Sequence, residues 1–355
     1  MDLLNSFLDL VVPPAYLVML ALAWPAMTFI NACEKLIYSS SRICENMEDK
    51  VVVVTGASSA IGEQITYEYA KMGANLVLIA RREYRLRVIS ENARLMGAKH
   101  VMFIAADVIK EEDCRRFIRE AINFHGHVDH LVNTTSLGHA FYFEEVTDTS
   151  MFPHLMDINF WGNVYPTYVA LPYLRQSNGR IIVNASVESW LPLPRISLYA
   201  AAKAALVNFY ETLRFELKDE VGITIATHGW IGSEMMKGKF MVEEGAEMHQ
   251  REESEVHVTN GAVADFARLT VSRACKGDAY VKYPSWYGIF LLYKVFAPNV
   301  LHWTFRLLET HRTRKFSLLD TSKNVQDIST SSRKLLAGPI PFSLESQQQQ
   351  LPKIK

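Results

Sequence analysis

Tyr199 and Lys203 stand four residues apart in an alanine-rich run, YAAAKAAL, so on a helix they share one face one turn apart. A phenol beside an ammonium has its anion stabilised and its pKa lowered from about 10. Such a phenol suits proton exchange with a substrate oxygen. Reaching neutrality takes about three units, or about 4 kcal/mol, more than one lysine usually supplies. A cationic cofactor beside the pair is expected to help. Ser186, thirteen residues upstream, follows the apolar β-branched run Ile181–Val183 and adds a hydroxyl. The pair by itself is a weak signal, because Tyr67 and Lys71 repeat its spacing with no chemistry around them.

A turn able to hold a nucleotide lies upstream. Val51–Val54 is a continuous β-branched run, the pattern of a strand buried on both faces of a parallel sheet. It leads into TGASSAIG at 55–62 and a helix predicted over Glu63–Met72. That order turns backbone N–H groups and a helix N-terminus toward an anion. The next strand, Asn75–Ala80, ends in Arg81-Arg82. At that place in a dinucleotide fold an acid suits a free ribose 2′-hydroxyl and arginines suit a 2′-phosphate, which favours NADP(H) over NAD.

The alternation continues with a helix over Arg82–Leu95, a strand over Val101–Ala106 ending at Asp107, a helix over Glu111–Phe124 and a strand over His130–Asn133. Asp107 reads equally as an adenine contact or a helix cap. Met151–Gln176 is apolar and helical, but Pro153, Pro166 and Pro172 predict a break or kink. Within it Asn159 is a polar residue among Ile158, Phe160 and Trp161, so its amide needs buried partners. A strand over Arg180–Ala185 delivers Ser186, and Ser197 is placed to cap a helix over Tyr199–Lys218. Strand Ile223–His228, helix Val263–Ala274 and strand Tyr280–Tyr283 complete the pattern, while the charged stretch Lys237–His257 reads as a mobile loop or lid. The predicted class is α/β, a single doubly wound parallel sheet of the Rossmann type.

Composition narrows the function. Of 355 residues 49% are hydrophobic, which excludes disorder for most of the chain. The net charge of −1 and the lack of a basic helix or zinc spacing argue against nucleic acid as a partner. Cys33, Cys44, Cys114 and Cys275 have no paired spacing and read as free thiols of a reducing compartment. No metal-ligand spacing occurs, and His125-Gly-His127 reads as a turn.

The first thirty-odd residues differ from the rest. Val11–Ile30 carries no charge and, at about twenty residues, is long enough to cross a bilayer. A cleaved signal peptide fits poorly, for there is neither a basic n-region nor a small-residue cleavage site. Pro13, Pro14 and Pro25 favour a hairpin that enters and leaves by one face. Lys35 and Arg42 follow the segment and none precedes it, which puts the body of the protein on the cytosolic side. Near the other end, Trp286–Leu308 is aromatic and aliphatic, a packing, dimer or membrane-surface element. Beyond it the chain is polar and ends near a glutamine run, the composition of a disordered tail.

The ordered set of TGASSAIG, Asp107, Asn133, Asn159, Ser186 and YAAAK resembles the classical short-chain dehydrogenase/reductases. The proline-bearing apolar N-terminus and the phrase GWIGSEM resemble plant steroleosins, oil-body proteins related to 11-beta-hydroxysteroid dehydrogenases. The resemblance implies that Tyr199 is general acid in reduction and general base in oxidation. It implies that Lys203 bonds the nicotinamide ribose, that Ser186 donates to the substrate oxygen, and that Asn159 supports a water relaying protons to Lys203. Ser186 and Tyr199 would then touch substrate. The cofactor contacts it implies are Gly56, Ser58, Ser59, Ala60, Ile61, Gly62, Arg81, Arg82, Asp107, Val108, Asn133, Tyr199, Lys203, Ile231 and Ser233.

Three departures bear on cofactor affinity: Ala60 for the usual middle glycine, Asn133-Thr-Thr-Ser136 for Asn-Asn-Ala-Gly, and His228-Gly229 for Pro-Gly. The expected layout is an anchor over 1–46, the Rossmann domain over 47–287, an aromatic extension over 288–318 and a polar tail over 319–355. The implied function is an NADP-dependent hydroxysteroid dehydrogenase of the 11-beta/17-beta type, acting on a secondary alcohol or ketone of a sterol-like molecule. Its expected setting is the lipid-droplet or endoplasmic-reticulum surface, as a homodimer or higher oligomer. The alternative from another class is a lipid-droplet coat or sterol-binding protein with little or no catalysis.

Overall fold

The computed structural model describes residues 44–138, 142–146, 149–229, 239–240, 249–250 and 260–301, with individual residues between 7 and 33 and between 303 and 307. Two compact units divide the chain, Met1–Leu291 and Leu292–Lys355. In the first, strands β1 (Val51–Thr55), β2 (Asn75–Ala80), β3 (Val101–Ala105), β4 (His130–Asn133), β5 (Arg180–Ser186) and β6 (Gly222–His228) alternate with helices. The helices are α1 (Ala60–Lys71), α2 (Glu83–Leu95), α3 (Glu111–His125), α4 (Met151–Met156), α5 (Gly162–Gln176) and α6 (Ser197–Leu217). The pair β7 (Lys239–Phe240) and β8 (His249–Gln250), then α7 (Asn260–Cys275), β9 (Tyr280–Tyr283) and α8 (Gly288–Phe296) follow; α8 runs across the division between the units. In the second unit the described residues 298–301, 303–304 and 306–307 are helical.

The strands form one seven-stranded parallel sheet in the order β3-β2-β1-β4-β5-β6-β9. The order reverses between β1 and β4, and in open α/β sheets the crevice outside the carboxyl ends at such a point is where ligands bind. Alternation within β1 explains the two layers of core. Val52 and Val54 join the cluster under α1, α2 and α7, while Val51 and Val53 join the one under α3, α5 and α6. All four valines are fully buried, as a parallel strand with helices on both faces requires.

Several boundaries differ from expectation. The first helix begins at Ala60, not Glu63, because Ser59 caps it by accepting from Gly62 N at 3.0 Å. Ser197 is the first residue of α6 and makes no capping bond; Ile196 holds the cap position. Asp107 does not cap α3 either, for Lys110 stands there. Asp107 instead closes the preceding turn, accepting from Ile109 N at 3.4 Å while its own N–H donates to Asp113 at 2.8 Å. The prolines do not break 151–176: Pro166 and Pro172 lie inside α5, and the irregular stretch is a π-helical segment, Asp157–Trp161, carrying Asn159. His127 follows the left-handed Gly126 that closes α3, so that pair is a turn.

The expected lid, 237–257, lies outside the described residues except for β7 and β8, which pair antiparallel. The tail from 319 lies outside them entirely. The described residues between 7 and 33 are helical, with Leu10, Leu22 and Phe29 exposed by 70% or more. No helix among the described residues is long and apolar enough to cross a membrane.

Candidate active site

Three parallel strands bring the chemistry to one edge. β1 ends at Thr55 before the glycine turn, β4 at Asn133, and β5 at Ser186, in continuous register across the sheet. Gly56 has φ +67, a left-handed backbone that favours glycine. A Cβ there would stand 2.8 Å from Thr135 N, and one on Gly62 would stand 2.3 Å from Gly56 O and 2.7 Å from Thr134 Oγ1. Thr134 adds to this crowding: its hydroxyl donates to Thr55 O at 2.7 Å and so braces the turn from β4. The turn and the first amides of α1 form the cradle a pyrophosphate needs.

Ala60 does not fill that cradle. Its methyl packs on the hydrophobic cluster beneath α1, alongside Ile61 and Ile65. Arg82 reaches back from the end of β2 and donates to Ser58 O at 2.9 Å and Ser58 Oγ at 3.1 Å, while Arg81 is exposed. Val108 is buried and packs toward Gly162, where an added Cβ would meet it at 3.1 Å. Thr135 Oγ1 is a buried polar atom with no protein partner among the described residues. Glycine turn, helix N-terminus, adjacent arginines and a spare buried hydroxyl together fit a dinucleotide.

Two residues expected at the ligand have their side chains spent on the scaffold. Asn133 donates to Asn163 O, Thr167 Oγ1 and Tyr210 OH at 2.9–3.1 Å and accepts from Thr55 Oγ1 at 3.1 Å, tying β4 to α5 and α6. Only its backbone remains to meet a cofactor. Asn159 accepts from Ser136 Oγ at 3.1 Å and Leu137 N at 3.0 Å, and donates to Leu137 O and Leu155 O at 2.8 and 2.9 Å. Its amide therefore holds the loop after β4 against the π-helical segment. Ile231 and Ser233 lie outside the described residues.

On α6, Tyr199 and Lys203 are 1% and 0% exposed. Lys203 Nζ donates to Asn184 O at 3.1 Å and stands 5.8 Å from the Tyr199 ring centroid. Ser136 and Ser186 neighbour the Tyr199 phenol and draw its pKa downward. Ser186 donates to the carboxylate of Glu188, two residues on and itself buried. Ser136 and Glu188 were not picked out as functional residues by sequence reasoning. Ser136 carried a signal, as a hydroxyl where the family has glycine; Glu188 carried none beyond its nearness to Ser186.

Electrostatics reverse one expectation. Lys203 was expected to lower the Tyr199 phenol, yet burial, joined by the charge of Glu188, pushes that phenol well above its ordinary value, and the serine hydrogen bonds oppose the rise only in part. Burial likewise brings Lys203 down from 10.5 to about 7, with Glu188 opposing. The lysine's folded pKa lies below its unfolded one, so the unfolded chain binds more protons between about pH 7 and 10.5 and stability rises with pH through that window. Below pH 7 the penalty is present in full, on the order of 5 kcal/mol. Lys203→Met is accordingly expected to raise Tm at pH 6 and to change it little at pH 10. Calorimetry at both values checks this, and equal shifts contradict it.

Among the described residues no His, Cys, Asp and Glu group is arranged to hold a metal ion. The four cysteines are free.

Comparison with known proteins agrees with this geometry. The short chain dehydrogenase family model matches residues 50–243. A sesame (Sesamum indicum) protein named 11-beta-hydroxysteroid dehydrogenase B is 66% identical, the alignment covering 98% of this chain and 99% of that one. An Arabidopsis thaliana protein named 11-beta-hydroxysteroid dehydrogenase-like 5 is 68% identical over 95% of this chain and 88% of its own. Among solved structures, an alcohol dehydrogenase from Thermococcus sibiricus complexed with 5-hydroxy-NADP superposes with a TM-score of 0.57 at 25% identity, covering 67% of this chain and 97% of that one.

Proposed function

The chain belongs to the short-chain dehydrogenase/reductase family, and from that premise we propose an NADP-dependent hydroxysteroid dehydrogenase that interconverts a secondary alcohol and a ketone on a sterol-like substrate. The observation that carries the reading is the meeting of Ser186, Tyr199 and Lys203, all buried, at the same sheet edge as the Gly56–Gly62 turn. The nicotinamide dinucleotide supplies the hydride acceptor or donor. Tyr199 exchanges the proton with the substrate oxygen, and Ser136 and Ser186 orient the phenol. Lys203, whose Nζ donates to Asn184 O, would bond the nicotinamide ribose. Burial of the pair excludes water, which strengthens each of these electrostatic contacts.

Arg81 and Arg82 support NADP over NAD, because two guanidinium groups at the end of β2 suit a 2′-phosphate. Replacing both by alanine is expected to weaken NADPH binding by at least about 30-fold and NADH binding by much less, the difference being roughly 2 kcal/mol of phosphate contact. Fluorescence titration with both cofactors reads this directly, and equal losses refute the assignment. A steroid panel assayed with NADP(H) and NAD(H) tests the reaction. No response to millimolar NADPH would instead favour the lipid-droplet coat.

The named relatives support the steroid class of substrate, and the apolar, proline-bearing N-terminus supports attachment to a lipid-droplet or endoplasmic-reticulum surface with the catalytic domain cytosolic. Removal of residues 1–40 is expected to free the domain from lipid in a flotation assay while NADPH binding persists; a truncated protein that still floats places the anchor elsewhere. Exposed Tyr168 on α5 and Phe215 on α6 support self-association as a homodimer or higher oligomer, which ultracentrifugation of the truncated protein tests, a monomer refuting it.

A further inference from the structure

Asn184 stands where packing alone would favour an apolar residue. It lies on β5 two residues before Ser186, and residues two apart on a strand share a face. On that face Ile182, two residues earlier, and Ala226, its register partner on β6, both join the hydrophobic cluster under α1, α2 and α7. Asn184 itself is 4% exposed, and its Oδ1 is buried with no protein partner among the described residues. An unpaired amide oxygen is costly in such a place, and buried polar groups find ordered water or a ligand where the protein offers nothing.

Two observations point to a ligand. β4 ends at Asn133, which pairs with Val183, so from Asn184 onward β5 has a strand neighbour only in β6. Asn184 is thus the first residue of β5 to pass the end of β4, at the edge of the sheet that carries Ser186. The second observation is the backbone oxygen of the same residue, which accepts from Lys203 Nζ at 3.1 Å. An ammonium has three protons to donate, so that bond leaves Lys203 with donors to spare for a ligand.

We propose that Asn184 is a further cofactor contact, its Oδ1 accepting a hydrogen bond from the nicotinamide riboside half of the dinucleotide. The proposal rests on the oxidoreductase reading above. That half offers two kinds of donor, the carboxamide N–H and the ribose hydroxyls, and an amide oxygen accepts from either. Asn184 then serves the cofactor twice, its backbone holding Lys203 and its side chain holding the nucleoside. The Gly56–Gly62 turn grips the pyrophosphate separately, so the Asn184 contact belongs to one end of the dinucleotide alone.

The test is Asn184→Val in the full chain. Valine suits a buried strand, and the backbone oxygen that meets Lys203 is kept. By fluorescence titration the Kd for NADPH is expected to rise about 10-fold, the effect of one lost hydrogen bond. The Kd for 2′,5′-ADP, which carries only the adenosine half, should stay within about twofold. Equal losses for both ligands, or no loss for NADPH, overturn the proposal. The 3-acetylpyridine analogue of NADPH lacks the carboxamide N–H and identifies the donor. A deficit that vanishes with the analogue assigns the carboxamide, and one that persists assigns the ribose.

A second measurement separates cofactor binding from a role in the fold. Without nucleotide, Asn184→Val should melt no more than about 3 °C below wild type, because it removes a buried amide that the protein leaves unpaired. Saturating wild type with NADPH should then raise Tm further than the same concentration raises the variant. A larger drop in the nucleotide-free variant gives the amide to the fold and overturns the contact. Failure of the oxidoreductase reading looks different: the wild type then binds neither NADPH nor NADH.

Discussion

Tyr199→Phe is expected to reduce turnover by a factor approaching 10⁴, the upper end of what a positioned acid–base group contributes, with dinucleotide binding retained. The substitution removes one oxygen. The ring stays in the same buried place on α6, 1% exposed, and Lys203 keeps its bond to Asn184 O. What is lost is the hydroxyl that Ser136 and Ser186 neighbour. The stability cost should be small, about 1 kcal/mol for the lost hydrogen bonds, so a folded protein with normal NADPH fluorescence and no turnover is the signature. Tyr67→Phe is the matched control. Tyr67 repeats the spacing to Lys71, but its hydroxyl donates to Glu63 at 2.9 Å on α1, away from the strand ends that carry Ser186. Its removal should leave kcat within about twofold.

Gly62→Ala carries the second large effect, on the cofactor cradle. The added methyl would lie 2.3 Å from Gly56 O and 2.7 Å from Thr134 Oγ1, and the nearer atom is backbone that cannot swing aside. Relief requires the glycine turn and α1 to separate, which breaks the cap from Ser59 to Gly62 N and misplaces the amides meant for phosphate. Overpacking of this kind costs about 1–3 kcal/mol or more. A weakening of dinucleotide binding by about 100-fold, with a drop in Tm, is expected by titration and calorimetry. Ala60→Gly is the contrast. Because the Ala60 methyl packs on the core, its removal should change Kd less than threefold and cost about 0.5–1 kcal/mol of helix stability. A large gain in affinity for Ala60→Gly would show that the methyl does obstruct the cradle.

The sheet was legible because its strands are short apolar runs, β1 four valines that meet a glycine turn, set between helical stretches. Helix ends were less so. Ser197 was expected to cap α6 on residue type alone, whereas capping depends on a backbone angle that sequence does not display. The prolines misled for a related reason. Pro153 falls in the first turn of α4, where the missing N–H would bond nothing, and the run continues through a π-helical segment at Asn159. At the site, spacing revealed which residues meet but not how each atom is occupied. Asn133 and Asn159 come to the right edge, yet their amides serve α5, α6 and the loop after β4. Tyr199 and Lys203 share a face as expected, while their complete burial, invisible in a four-residue spacing, sets the direction of both shifts. Glu188 escaped notice because a carboxylate two residues past a strand looks like a solvated turn until its burial is known.

Hydride transfer itself is open to direct observation. Full-length protein given NADPH deuterated at both C4 positions and a keto-steroid panel should yield a hydroxysteroid carrying one deuterium at the carbinol carbon, with none formed by Tyr199→Phe. A hydroxysteroid formed without that deuterium, or no reduction of any keto-steroid by a protein that binds NADPH, contradicts the proposed activity.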